Sequence, residues 1–264
     1  MDIKRISTGI TGLDPLLQGG FIQGRSYLVS GGAGTGKTTA CIQFLMTGLN
    51  QGEKTAYVTV DERPTEILQA ANSLGWDLHS YMQDKSLVIL DAAPYLGNRS
   101  GAGVEKSVDF QRIVSDLASY TKRMDVTRLV IDPVTPLFLT GDSHVRVQEH
   151  ARTLIHLLQS QLNTTNLLTS HAPRNTDHDL TNGIEEFLAA GVLVLKVTQA
   201  NGRFVRTLGI IKMRGTAVEP AEYPFSIVKG KGILLNDKKQ VPVGDVEEQP
   251  VQTLEFFEPS KEEM

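Results

Sequence analysis

Gly31-Gly32-Ala33-Gly34-Thr35-Gly36-Lys37-Thr38 is the stretch of sequence that decides the fold. It fits G-x-x-x-x-G-K-[ST], the pattern of the phosphate-binding loop (P-loop) of nucleoside triphosphatases. Glycines let successive backbone N–H groups point into one anion-binding concavity, and the following helix presents its positive end to the same phosphates. Lys37 adds a charge for the outer phosphates, and the Thr38 hydroxyl can hold Mg²⁺. We therefore predict a site for a nucleoside triphosphate and Mg²⁺ to which this stretch and Thr39 contribute.

The sequence on both sides of the loop supports this interpretation. Residues 25–30 have the composition of a buried strand that enters the loop. Residues 39–46 leave it with apolar side chains at helical spacing, Cys41, Phe44 and Leu45 among them. The alternative is a flexible glycine-rich surface turn, which requires neither a strand before it nor a helix after it. The order strand, loop, helix therefore favours a nucleotide site.

Composition narrows the class of protein. The 264 residues suffice for one large α/β domain or two small ones. A formal net charge of −4 gives no electrostatic footprint for nucleic acid, so DNA and RNA are not expected partners. The single cysteine suits a reducing compartment, and no apolar run approaches the roughly 20 residues of a membrane span. Because the N-terminus also lacks the apolar core of a signal peptide, we expect a soluble, cytoplasmic protein.

Strand-like and helix-like segments alternate along most of the chain. Residues 54–60, 86–90, 127–131 and 166–170 are predicted strands, and residues 64–74, 110–117 and 147–162 are predicted helices. This alternation predicts a doubly wound, largely parallel sheet. Residues 192–198, 203–213 and 224–228 then follow without helices, and Asn201-Gly202 is a strong hairpin signal between the first two. Antiparallel strands are therefore expected to extend the parallel core.

The chain divides into a predicted ATPase domain, residues 1–235, and a C-terminal tail, residues 236–264. The tail contains eight acidic residues, three basic residues and three prolines, a composition typical of a mobile segment. Its patch Leu254-Glu255-Phe256-Phe257 could dock on a partner or a neighbouring subunit, or could be a weakly held strand.

Carboxylates follow two of the predicted strands. Asp132 ends an apolar strand, which places it beside the P-loop as a second predicted Mg²⁺ ligand with Thr38. Asp61 and Glu62 end the strand after the P-loop helix, where ligands bind in open α/β sheets, so at least one of them is a candidate activator of water. Strand neighbours point to opposite faces, so one of the two is expected to face the γ-phosphate. The alternative is that one of them caps the helix that Pro64 opens.

His171 is a further candidate of lesser weight. It follows a strand that should end near the γ-phosphate, and it could sense the state of the nucleotide. An ordinary surface histidine explains it equally well, and the histidines and the cysteine show no metal-ligand spacing.

Several motifs, taken in order, resemble the KaiC family of RecA-like ATPases. In the first half they are Ser7-Thr8-Gly9-Ile10 with Gly12-Leu13-Asp14, the P-loop, Asp61-Glu62-Arg63-Pro64, Ser73-Leu74-Gly75-Trp76-Asp77 and Asp132-Pro133-Val134-Thr135. In the second half they are Gly183-Ile184-Glu185-Glu186-Phe187, Arg206-Thr207-Leu208, Lys212-Met213-Arg214-Gly215-Thr216 and Glu222-Tyr223-Pro224-Phe225. The resemblance covers about residues 3–235 and implies an α/β fold: a RecA-like P-loop NTPase core of mostly parallel strands flanked by helices.

The resemblance also implies a homo-oligomeric ring, usually a hexamer, with nucleotide held between subunits. Lys212 and Arg214 would reach into the neighbouring subunit's site and act on the γ-phosphate. Ser73, Met213 and Thr216 match motif positions of the family that contact nucleotide. Without the resemblance, Lys212 and Arg214 are equally explained as charges that keep an edge strand soluble.

The chain departs from the family's pattern at three points. KaiC carries two such domains in tandem, and this sequence carries one set of motifs. The Ser and Thr phosphoacceptors of the second KaiC domain correspond here to Glu186 and Phe187, which have no hydroxyl, so autokinase activity is not expected. The His that often follows the Arg-Gly-Thr segment is replaced by Val218.

Three functions follow from these patterns. The leading hypothesis is an ATPase whose ring changes state with nucleotide, in a regulatory or signalling role with a protein partner. The first alternative is a DNA-binding recombination ATPase with the same core. Residues 172–183 disfavour it, because Asp177 and Asp179 offset the charge of Arg174 and leave little attraction for DNA phosphates. The second is an ATP-dependent assembly scaffold with very slow hydrolysis.

Overall fold

The structure is a computed structural model that describes residues 3–96, 109–138, 144–171, 189–200 and 202–236. The strands are β1 (Arg5–Ile6), β2 (Phe21–Ile22), β3 (Ser26–Gly31), β4 (Lys54–Thr59), β5 (Leu87–Asp91), β6 (Val126–Asp132), β7 (Thr165–His171), β8 (Gly191–Ala200), β9 (Arg203–Met213), β10 (Ala221–Val228) and β11 (Gly232–Leu235). The helices are α1 (Leu13–Leu16), α2 (Lys37–Leu49), α3 (Pro64–Ser73), α4 (Leu78–Gln83), α5 (Phe110–Met124), α6 (Thr135–Phe138) and α7 (His144–Gln161).

Nine of these strands form one sheet in the order β11-β10-β9-β8-β3-β7-β6-β4-β5. The six strands from β8 to β5 run parallel to one another. β9, β10 and β11 continue the sheet as antiparallel neighbours. The predicted fold class is therefore confirmed, and the carboxyl ends of the parallel strands meet at one edge of the sheet.

The predicted strands and helices all appear, most of them within a few residues of their predicted bounds, whereas α5 extends to Met124 from a predicted end at residue 117. The hairpin signal is confirmed too, since Ala200 pairs with Arg203 across the β8–β9 turn. The elements that the sequence did not predict are short: the β1–β2 ribbon, α4, α6 and β11. Such elements span too few residues to show a periodicity. The proposed boundary at residue 235 stays a prediction, because residues 237–264 lie outside the described residues, as do residues 172–188.

Helices cover both faces of the sheet and divide the core in two. One apolar cluster packs α2, α3 and α4 against the sheet, and the other packs α5 and α7 against the opposite face. Alternation along β4 places Tyr57 in the first cluster and Ala56 and Val58 in the second. Among the described residues, no helix is long and apolar enough to cross a membrane.

An ion pair with a fully buried arginine joins the amino edge of the sheet to the chain before the P-loop. Arg128 has no exposed side-chain surface, and its Nε lies 2.8 Å from Glu53 Oε2. Its Nη2 donates to Glu53 Oε1 at 3.0 Å, and its Nη1 donates to the carbonyls of Ser7 and Phe44. The Arg128 hydrogen bond lowers the pKa of Glu53. The pair thereby fixes the N-terminal segment onto α2 and β6.

Glu53→Ala is expected to lower the free energy of unfolding by about 3 kcal/mol, because the buried Arg128 charge loses its partner. Urea unfolding at neutral pH measures this loss. Since the pKa of Glu53 is lowered in the fold, its contribution is present above the unfolded pKa and is lost as the pH falls. Wild-type protein should therefore lose more stability than the variant on acidification.

The matched control is Glu219→Ala, which removes an exposed glutamate and should change stability by no more than about 0.5 kcal/mol. Equal unfolding midpoints for Glu53→Ala and Glu219→Ala would contradict this role of the ion pair.

Candidate nucleotide-binding site

The P-loop connects the central strand β3 to α2, as its sequence predicts. Gly31 ends β3, and a Cβ there would lie 2.7 Å from the carbonyl oxygen of Leu195 on β8, so only glycine allows this approach. Gly36 has a φ of +109°, a backbone conformation that residues other than glycine rarely adopt. A Cβ at Gly36 would also lie 3.1 Å from Ile227 Cδ1. The loop is thus packed between β8 and β10.

Lys37 begins α2 and folds back over the loop. Its Nζ donates to the carbonyls of Gly31, at 2.7 Å, and Gly32, at 2.9 Å. Burial lowers the pKa of Lys37, and the nearby Asp132 carboxylate opposes that shift. The ammonium group is therefore held at the mouth of the loop, where the motif predicts the outer phosphates.

Asp132 is the centre of a network of hydroxyl groups at the end of β6. Thr38 Oγ1 donates to its Oδ2 at 3.0 Å, and Tyr57 Oη donates to the same oxygen. Thr169 Oγ1 donates to its Oδ1. Burial, followed by the charge of Asp132, raises the pKa of Tyr57 well above its ordinary value, so its hydroxyl remains a donor.

A cavity of about 410 Å³ opens beside the P-loop at the carboxyl edge of the parallel strands. Four of the segments that line it were predicted to form the site: the P-loop, the start of α2, the segment after β4 and the end of β6. The lining residues are Ala33, Gly34, Gly36, Lys37, Thr38, Thr39, Asp61, Glu62, Asp132, Pro133, His171 and Ile227. The predicted contacts Gly31, Gly32 and Thr35 do not line it; Thr35 is buried and donates to the Gly32 carbonyl.

Asp61 and Glu62 both line the cavity. Strand alternation does not separate them, because β4 ends at Thr59. Neither of them caps α3: the cap residue is Arg63, whose N–H donates to Glu66 Oε2 at 2.7 Å. Burial, together with the charges of Asp132, Glu66 and Asp61, raises the pKa of Glu62. A carboxylate with a raised pKa in a cleft is a candidate general base.

His171 ends β7 and lines the same cavity. Its Nε2 is 3.9 Å from Asp61 Oδ2, and both side chains are about half exposed, at 56% and 46%. Ile227 and Arg206 are further residues of this region that sequence reasoning did not assign to the site. Ile227 lines the cavity, and Arg206 Nη2 approaches the Gly34 carbonyl at 3.5 Å. Both come from strands that the sheet order alone brings to the loop.

Five predicted site residues lie away from the cavity: Ser73, Lys212, Met213, Arg214 and Thr216. Ser73 ends α3, and its hydroxyl donates to the Ala70 carbonyl. Met213 ends β9 opposite Gly191, at the amino edge of the parallel strands. Arg214 N–H donates to the Ala190 carbonyl, five residues before Leu195, the partner of Gly31. At the rise of a strand this separation is about 17 Å, so Arg214 cannot reach its own P-loop.

Arg5 fixes the segment that carries Arg214 to the start of the chain. Its Nη1 donates to Thr216 Oγ1 and to the Leu17 and Gly20 carbonyls, each at 3.0 Å. Its Nη2 donates to the Gly215 carbonyl at 3.3 Å. The segment around Arg214 is therefore held in place at the edge of the sheet opposite the cavity.

The first motif of the chain has a structural role in the same region. Asp14 accepts hydrogen bonds from the Ser7 hydroxyl and from both the N–H and the hydroxyl of Thr8. These bonds close the turn over residues 7–14. Arg128 Nη1 donates to the Ser7 carbonyl in the same turn. The Ser, Thr and Asp positions of the family pattern are thus accounted for by these hydrogen bonds.

The donor set of the cavity fits a nucleotide with a divalent cation. A hydroxyl and a carboxylate within 3.0 Å of each other are oxygen ligands of the type that Mg²⁺ prefers. The lysine and the glycine-rich loop are complementary to phosphate charge. A parallel sheet with this loop after its central strand, and with acids at the carboxyl ends of β4 and β6, defines the class of P-loop nucleoside triphosphatases.

Comparisons with known proteins give the family. The family described as "ATPase: KaiC" matches residues 6–240. The circadian clock oscillator protein KaiC of Thermostichus vulcanus is 35% identical over 233 residues, 88% of this chain and 44% of the relative. That of Synechococcus elongatus is 34% identical over 226 residues, 85% of this chain and 43% of the relative. The chain belongs to the KaiC ATPase family.

A solved structure extends the comparison to the fold. The crystal structure of a KaiC-like protein from the hyperthermophilic archaeon Pyrococcus horikoshii matches with a TM-score of 0.75 and 31% identity. The match covers 89% of this chain and 100% of that one. By contrast, the chain spans less than half the length of the curated KaiC relatives. The resemblance identified from the sequence motifs is confirmed.

Proposed function

We propose that the protein binds ATP with Mg²⁺ and hydrolyses it to ADP and phosphate. The observation that carries this proposal is the convergence of Lys37, the Thr38–Asp132 pair and Glu62 on one cavity. Phosphate recognition, metal ligation and water activation are the three requirements of triphosphate hydrolysis. Membership of an ATPase family supports the same assignment.

Each group has a role that its environment favours. Lys37 neutralises the outer phosphates, and bound Mg²⁺ supplies a further positive charge there. Glu62 accepts a proton from the attacking water as the water oxygen bonds to the γ-phosphorus and the bond to the β-phosphate oxygen breaks. Asp61 lies beside it on the cavity and orients the same water. The raised pKa of Glu62 brings its basicity closer to the working pH.

Glu62→Gln is expected to retain ATP binding and to lower kcat by about 10²–10³-fold, because the amide cannot take the proton. Phosphate release and ATP titration measure the two properties separately. In wild-type protein, kcat should fall as the pH drops through the raised pKa of Glu62, since the base must be ionised. The midpoint of this fall should lie above 4.5, the ordinary pKa of a glutamate.

Glu219→Gln is the control, because it makes the same chemical change at an exposed position outside the cavity. Unchanged kcat in Glu62→Gln would assign the base elsewhere, with Asp61 the next residue to test. Loss of ATP binding in that variant would instead make Glu62 a ligand-binding residue.

We infer further that the reaction centre is shared between subunits of a ring, a hexamer by analogy with the family. The position of Arg214 supports this inference: it is held at the edge of the sheet opposite the cavity of its own chain. If the edge of one subunit's sheet stacks on the next subunit's cavity, Arg214 would bring a second positive charge to the γ-phosphate. ATP binding and hydrolysis would then alter subunit contacts, which suits a regulatory or signalling role with a protein partner.

A further inference from the structure

The carboxylate of Asp132 is held by three hydroxyl groups, and two of them lie outside the P-loop motif. Tyr57 Oη donates to Oδ2, and Thr169 Oγ1 donates to Oδ1. Tyr57 is 1% exposed and Thr169 is 0% exposed. Their strands, β4 and β7, flank β6 on its two sides. Each oxygen of the carboxylate therefore has a donor that is fixed by a neighbouring strand.

The register of the sheet explains why Tyr57 reaches this carboxylate. Tyr57 pairs with Val130, and Thr59 pairs with Asp132. Residues two apart on a strand share a face, so Tyr57 and Asp132 lie diagonally on the same face of the β4–β6 pair. A tyrosine is long enough to span this diagonal, and its ring remains in the apolar cluster under α2. The hydroxyl is the sole polar group of Tyr57's side chain, and it ends on the predicted metal ligand.

We propose that Tyr57 is a positioning residue that fixes the orientation of the Asp132 carboxylate for cation binding. This inference rests on the proposed function of the site as an ATP–Mg²⁺ site. Thr38 donates to the same Oδ2 but is itself a predicted metal ligand, whereas Tyr57 and Thr169 are buried and are not among the residues that line the cavity. Partners of this kind hold a ligand in its binding orientation before the cation arrives, and they increase its affinity.

The test is Tyr57→Phe, which keeps the ring and removes the hydroxyl. ATP binding is measured by calorimetric titration over a series of Mg²⁺ concentrations and again in EDTA. The Mg²⁺ concentration for half-maximal enhancement of ATP binding should rise about tenfold in the variant. Binding in EDTA should be unchanged, because Tyr57 is not among the residues that line the cavity.

Tyr27→Phe is the matched control, and Thr169→Val is a second variant. Tyr27 is also buried in the sheet, but its hydroxyl bonds the backbone of Ile22. A merely structural role of Tyr57 would lower thermal stability in both tyrosine variants and leave the Mg²⁺ dependence of both at the wild-type value. That result overturns the inference. The shift in Tyr57→Phe and in Thr169→Val, with none in Tyr27→Phe, supports it.

The wild-type titration distinguishes a failure of the Tyr57 role from a failure of the proposed ATP–Mg²⁺ site. If wild-type protein shows Mg²⁺-enhanced ATP binding and Tyr57→Phe shows the same curve, only the role of Tyr57 is refuted. If wild-type protein binds ATP equally with Mg²⁺ and with EDTA, the proposed site fails, and the role of Tyr57 fails with it.

Discussion

Lys37→Ala is expected to abolish measurable ATP binding and, with it, hydrolysis. The side chain lies over the P-loop, with its ammonium 2.7 Å and 2.9 Å from two loop carbonyls. Removing one partner of a partly buried charge pair costs about 2–5 kcal/mol. Each 1.4 kcal/mol is about a tenfold change in affinity, so the affinity should fall by roughly 30-fold to 4,000-fold. Titration with ATP and Mg²⁺ measures it directly.

Lys54→Ala provides the control for this variant. Lys54 is exposed and begins β4, so it lies at the edge of the sheet opposite the cavity. The two variants change the net charge equally, and only one of them should lose ATP. The P-loop also loses the two hydrogen bonds of Lys37, so circular dichroism should verify that the fold of Lys37→Ala is retained. ATP affinity within a few-fold of wild type would contradict the phosphate-binding role.

The P-loop could be predicted because all its determinants are adjacent in sequence. A strand, a glycine-rich turn and a helix with Lys37 at its start fix the local geometry before the rest of the sheet is considered. Asp132 could be predicted for a related reason: an acid after an apolar strand lies at the carboxyl edge wherever that strand pairs. Neither prediction depends on the order of the strands.

The remaining residues of the site depend on the strand order, which the sequence did not define. Tyr57 reaches Asp132 because β4 lies beside β6, and Ile227 reaches Gly36 because the β10–β11 hairpin folds over the P-loop helix. Tyr57 and Asp132 are 75 residues apart in the sequence. A lone tyrosine in an apolar strand gives no sign that its hydroxyl will meet a carboxylate.

The P-loop helix shows how the distant parts of the chain support the site. Gln43, six residues after Lys37 on α2, donates from Nε2 to the carbonyls of Gly9, Lys231 and Ile233. Its Oε1 accepts from the Ile233 N–H at 2.7 Å. A buried amide with its hydrogen-bonding groups paired holds a specific arrangement of neighbours. The helix that presents the phosphate site is thereby fixed to both ends of the predicted ATPase domain.

Arg214→Ala is expected to spare ATP binding and to lower kcat by about 10³-fold or more, the effect of removing an arginine that acts in trans on the γ-phosphate. Its side chain belongs to the edge of the sheet about 17 Å from Gly31 along the strands, so it contributes nothing to the cavity of its own chain. Arg203→Ala is the control, because it removes an exposed arginine at the β8–β9 hairpin, at the other edge of the sheet. Full turnover in purified Arg214→Ala would refute the assignment.

Mixing two inactive variants separates a shared site from a site within one subunit. Glu62→Gln protein retains Arg214, and Arg214→Ala protein retains Glu62, so a mixed ring contains contacts at which both groups are intact. Such contacts should restore part of the ATPase activity, with a maximum near equal proportions. Native mass with and without ATP must show an assembly under the same conditions. A mixture that stays inactive while the subunits exchange, or a monomer that hydrolyses ATP at the undiminished rate, requires every catalytic group to lie within one chain. In that case Lys212 and Arg214 serve only as charges at the end of β9, which is an interior strand of the sheet. Arg206, the arginine that approaches Gly34 within its own chain, then becomes the candidate for the γ-phosphate.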